Sequence, residues 1–198
     1  MAASPAFAVL GFRPHTYWTS VVALGGRAKA PQVLERRKVV FAAGDERGVY
    51  HQAAEIGPEQ GRALLGKVRA ATVANAVAGI AALIADLQLG GLTVRDAVVS
   101  AANPRAGDDL AQIVTAHSRI HAAEGNFYRD VVAAACEAVG LTVHRVAERD
   151  MPERVCTLLR TDKPSLEARL REMGKTLGSP WSEDFKLATQ AAWGELGA

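Results

Sequence analysis

Ala8-Val-Leu-Gly-Phe-Arg-Pro-His15, followed at once by the aromatic and β-branched stretch Tyr17 to Leu24, decides the fold. The apolar run Ala6 to Leu10 predicts a strand, Gly11 to His15 a turn, and Tyr17 to Leu24 a second strand closed by Gly25-Gly26. A third strand is expected over Gln32 to Ala42. Its charged interruption, Glu35-Arg-Arg-Lys38, suits a strand near a sheet edge, where charge discourages pairing with another chain. Strands this close in sequence predict an antiparallel meander.

Beyond the meander the period changes. Leu64, Leu65, Val68, Ala71, Val77, Ile80, Ile84 and Leu87 recur at helical spacing between Glu59 and Gln88. Pro58 fits the first turn and Gly90-Gly91 the end. Thr93 to Ala101 predicts a fourth strand, stopped by Asn103-Pro104. Asp108 or Asp109 caps a helix expected to run to about Ala138, with a break near Gly125-Asn126. Leu141 to Ala147 is a fifth strand. Helices follow over Pro152 to Leu159, Ser165 to Gly174 and Ser182 to Leu196, the last opened by Glu183 and Asp184 at its positive end. The order β-β-β-α-β-α-β plus C-terminal helices implies an α/β fold: a mixed five-stranded sheet with helices on both faces, one domain over residues 1–198.

Three stretches carry a family resemblance: Ala8 to His15 running into Tyr17 to Leu24; Gly125 to Ala147; and Ser182-Glu-Asp-Phe-Lys-Leu-Ala-Thr-Gln-Ala-Ala192. Together with the element order, they resemble a ribonuclease-H-like domain of the Holliday-junction resolvase branch. The resemblance implies an Asp on strand one, a Glu at the end of strand four and acids on the last helix. These would hold two divalent metals for phosphodiester cleavage. This chain departs from that pattern. Arg13 stands at the strand-one position, Val99 or Ser100 at the strand-four position, and only Glu183 and Asp184 remain. A guanidinium repels a hard cation.

Other groups could carry chemistry. His117, His121 and Glu124 read H-x-x-x-H-x-x-E, and spacings of four and three put them on one helix face. That set could ligate a divalent metal, although Ser118 stands where a zinc peptidase needs Glu. Polar side chains on a solvated or partly buried helix face are the simpler explanation. Arg13 and His15 flank Pro14 beyond a strand end, where open α/β sheets bind ligands. Arg13 suits an anion and His15 general acid–base work, with Asp184 and Lys186 expected nearby, and Arg13 could simply pair with Asp184. Trp181 could stack on a base or pin a helix to the core. Arg36, Arg37 and Lys38 could track a phosphate backbone. His51 has no role on sequence grounds.

A formal net charge of +2 permits nucleic acid without demanding it. No phosphate loop, dinucleotide fingerprint, nucleophile elbow or CxxC pair is present, which removes many enzyme classes. Cys136 and Cys156 stand apart and suit buried thiols in a reducing compartment. Met1 to Ala8 lacks the features of a signal peptide. Ala70 to Leu89, broken by Asn75, Asp86 and Gln88, reads as a buried helix with no membrane role, so a cytoplasmic location is expected. The expected function is a nucleic-acid-associated protein with a degenerate or rebuilt nuclease site. The alternatives are a metal-dependent hydrolase on the His117/His121/Glu124 face and a non-catalytic scaffold that homodimerises through its apolar helices.

Overall fold

The computed structural model describes residues 7–42 and 48–196. Ala6, where the first strand was expected to begin, and most of the charged loop after Ala42 lie outside them. Five strands form one sheet in the order β3-β2-β1-β4-β5: β1 (Phe7–His15), β2 (Trp18–Arg27), β3 (Ala30–Val40), β4 (Thr93–Ser100) and β5 (Thr142–Val146). β1 to β3 pair antiparallel, while β4 joins β1 and β5 joins β4 in parallel. The sheet is mixed as expected, with β3 at an edge.

Helices cover both faces. α1 (Val49–Ile56), α2 (Pro58–Leu89) and α4 (His117–Ala138) lie on one side, and α5 (Met151–Leu159), α6 (Lys163–Leu177) and α7 (Glu183–Trp193) on the other, with a single turn, α3 (Leu110–Ile113), between β4 and α4. Strand alternation sorts the core. Leu10, Phe12, Val21, Ala97 and Val99 pack with Ile80, Leu83, Tyr128 and Val131. Val9, Leu24, Val98 and Val146 pack with Met151, Val155, Leu166 and Trp193.

Four local expectations are corrected. Gly11 to His15 is not a turn: β1 runs through to His15, and the chain reverses at Thr16-Tyr17, where Tyr17 takes φ 71°. Pro14 is tolerated because β4 pairs β1 only as far as Gly11 opposite Val98. The helix expected from Asp108 is two helices. Asp109 caps α3, its side chain accepting from Ala111 N–H, and the break falls before His117; Gly125 sits inside α4. α1 was not foreseen. Finally, α2 is not a buried helix. Thr72, Ala76, Ile80, Leu83 and Leu87 face the core, but Ala63, Ala70, Ala74, Ala78, Ala81, Ala85 and Leu89 are exposed. By length and composition alone it could cross a membrane; here one face of it covers the sheet.

Candidate nucleic-acid interface and histidine corner

Gly11 sets the geometry at the end of β1. A Cβ there would lie 1.9 Å from the carbonyl oxygen of Ala188, so only glycine lets α7 rest on the strand. Ser182 caps α7, its hydroxyl accepting from Phe185 N–H, and this close packing brings Asp184 to the same face as Arg13 and His15. His15 Nε2 lies 2.9 Å from Asp184 Oδ1. Arg13 Nη1 lies 3.0 Å from Glu148 Oε1, and its Nε is 4.0 Å from Asp184 Oδ1. Arg129 reaches the same Glu148 oxygen at 3.4 Å. The expected Arg13–Asp184 contact is therefore the longer of two, and Glu148 is the closer partner. Glu148 and Arg129 escaped the sequence reading, although an acid just beyond β5 occupies the kind of strand end where sites form.

Extending the Gly11–Val98 register by two residues brings Ser100 level with Arg13. Its hydroxyl is buried and has no hydrogen-bond partner. Glu183 is exposed and pairs with Lys186 at 2.5 Å, and Lys186 lines a separate hollow with Lys163, Arg171 and Gln190. The structure thus parts Lys186 and Glu183 from the cleft. The acids that remain, Glu148 and Asp184, hold a guanidinium between them. Two divalent metals do not fit this set of residues.

A stacked array extends from this point towards the sheet edge. The His15 and Trp18 rings are 4.1 Å apart at 10°. Lys38 Nζ sits 4.0 Å from the Trp18 ring centroid on the strand-alternation face that also carries Arg36. Arg36 lies 5.9 Å over Trp181 and donates to the Leu177 carbonyl. Trp181 donates to the Leu170 carbonyl at 2.8 Å and packs on Gly174, so it pins α7 to α6 as well as receiving Arg36. Arg37 points to the opposite face, where it pairs with Glu35 and Asp86. The guanidinium of Arg37 is tied to acids while Arg36 and Lys38 lie against indole rings, and all three border one cavity of about 340 Å³ with Pro180, Ser182 and Asp184.

A second cluster forms where α1 meets α4. His117 and His121 lie one turn apart, as the spacing predicts, with their Nε2 atoms 2.8 Å apart. The third member is His51 of α1, not Glu124: one ring nitrogen from each of His51, His117 and His121 lies within 4.8 Å of the other two. Glu124 is buried, and its two oxygens accept the N–H groups of Val49 and Tyr50 at 2.9 and 2.7 Å. It closes the N-terminus of α1, where a negative charge is favoured. Gly48 makes room: a Cβ there would lie 2.6 Å from the Glu124 carboxyl carbon. Burial pushes the Glu124 carboxyl above the usual range, and the two backbone donors oppose that rise. His121 is pushed down, by desolvation first and then by His117 and His51. Nothing in the sequence links His51 to the pair, because α1 is too short to give a clear helical period.

No protein-family model matches the chain, and no curated protein matches it. Among solved structures it is similar to RuvC of Thermus thermophilus in complex with a Holliday junction substrate, with TM-score 0.54, 11% identity, 95% of this chain covered and 91% of that one. It is also similar to a second Thermus thermophilus RuvC structure, with TM-score 0.50, 12% identity, and 95% and 92% covered. At such identity the likeness speaks for the fold, and the strand order agrees: the chain adopts a ribonuclease-H-like fold of the resolvase type.

Proposed function

We propose that this is a cytoplasmic, nucleic-acid-associated protein that binds through the Trp18, Lys38 and Arg36 edge of its sheet and lacks two-metal cleavage at the end of β1. The observation that carries the reading is the ion pair of Arg13 with Glu148, at 3.0 Å, in the position where the fold's nucleases need a carboxylate. A cation fixed there removes the field that gathers divalent metals and adds one that attracts phosphate. His15 and Asp184 act as positioning residues: their contact holds the imidazole against Trp18, and the indole in turn carries the Lys38 ammonium, set to meet a phosphate. Two free, buried cysteines are consistent with a reducing compartment.

The test is fluorescence anisotropy with a four-way DNA junction, chosen because the similar RuvC is described with one, alongside duplex and single-stranded DNA and RNA. Salt-dependent binding without cleavage in Mg²⁺ or Mn²⁺ is expected. Lys38→Glu should weaken it about 5- to 10-fold and lower the salt slope by about one. Cleavage that Asp184→Asn abolishes would overturn the loss of catalysis. Absence of salt-dependent binding to every probe would overturn the nucleic-acid reading.

A further inference from the structure

We infer that His51, His117 and His121 form a site for one first-row transition-metal ion, zinc by preference, that clamps α1 to α4. This is independent of the proposed nucleic-acid binding, and its ligands come from α1 and α4, none of them from the end of β1.

The argument is geometric. His117 and His121 stand one turn apart at the start of α4, and His51 reaches them from α1. The three rings meet edge to face, with centroid separations of 5.4, 5.0 and 4.3 Å and interplanar angles of 75°, 63° and 84°. Imidazoles converging on one ion from different directions present themselves in this way. Ligand nitrogens about 2.0–2.1 Å from a tetrahedral zinc would be roughly 3.3 Å apart. Small rotations of His117 and His121, both exposed, bring the three nitrogens to that spacing.

A second observation points the same way. The Nδ1 atom of His51 is buried and has no hydrogen-bond partner. Such an orphan is costly unless a ligand satisfies it. The backbone just before it is already fixed: Glu124, on α4, accepts Val49 N–H and Tyr50 N–H, so α1 is held one and two residues before His51. The chemistry of the donors selects the ion. Three imidazoles without a carboxylate suit Zn²⁺, Co²⁺ or Ni²⁺ and disfavour Mg²⁺ and Ca²⁺. With three protein ligands and two of them exposed, the fourth position is open to water.

The test uses the full chain without an affinity tag, stripped with EDTA. Zn²⁺ titration is followed by thermal melting and by elemental analysis after desalting, and Co²⁺ titration by visible absorption. One equivalent bound, a saturable rise in melting temperature and the ligand-field bands of four-coordinate Co²⁺ are expected. His51→Gln, His117→Ala and His121→Ala should each weaken binding at least tenfold, whereas His144→Ala, on β5 and paired with Asp96, should not. Circular dichroism of the metal-free variants separates loss of the site from loss of the fold. Absence of binding, binding that His51→Gln leaves unchanged, or equal binding of Mg²⁺ would overturn the assignment.

Discussion

The end of β1 and the α1–α4 corner are opposites. At the first, Arg13, Arg129 and His15 are each matched to Glu148 or Asp184. At the second, three imidazoles face one another and a buried nitrogen has no partner. The position where the fold would lead one to expect a metal is neutralised by the protein's own charges. The corner where three imidazoles converge lies on two helices, whereas the end of β1 keeps a buried orphan of its own, the Ser100 hydroxyl, beside a guanidinium held by acids. Fold and site are therefore separable here, and the chemistry is better read from which groups converge and how their charges are matched than from topological position.

The largest expected effect separates the two regions most sharply. Gly11→Val should cost about 3–4 kcal/mol, because the new side chain must displace the backbone of α7 at Ala188. Urea denaturation measures this. If the variant folds at low temperature, Zn²⁺ binding should persist while nucleic-acid binding falls.

Glu124→Ala should cost about 2 kcal/mol by leaving two N–H groups of α1 without an acceptor. The pH dependence sharpens this. The folded-state value of Glu124 is raised by burial, so its contribution is fully present below the unfolded value and is lost as pH rises through the folded one. The metal-free protein should therefore lose stability relative to Glu124→Gln as pH is raised from 4.5, measured as the difference in urea midpoints.

Arg13→Asp should cost about 1–2 kcal/mol, since Glu148 and Asp184 would lose their shared cation and face a third carboxylate. Millimolar Mg²⁺ should recover part of that loss in the variant and have no effect on the parent protein, as read by thermal melting. The smallest effect is expected from Trp18→Ala: about 1 kcal/mol of nucleic-acid binding, through loss of the ring that carries Lys38, and little change in stability, measured by anisotropy and melting.

The sequence was most legible where periods were long and punctuation strong. α2 begins at Pro58 and ends before Gly90 as the pattern implies, and β2 to β5 and the three C-terminal helices fall within a few residues of their expected positions, whereas β1 runs five residues further than expected, from Leu10 to His15. It misled where one residue type serves two purposes. Gly11 and Pro14 looked like a turn, but Gly11 is there so that α7 can approach and Pro14 lies past the last residue paired with β4. The candidate site was half legible. The i, i+4 pairing of His117 and His121 follows from helix geometry, and His15 with Asp184 from the order of strands and helices. His51 and Glu148 were not, because tertiary packing alone brings them to their partners. Glu124 lay on the expected face but turned inward, towards backbone donors that no pattern in the sequence announces.

The Arg13–Glu148 contact also couples what one substitution can change at this end of the sheet. An aspartate alone at position 13 would sit among carboxylates, and Ser100 at the end of β4 adds no further acid, so the charge pattern there changes smoothly only when two positions change together.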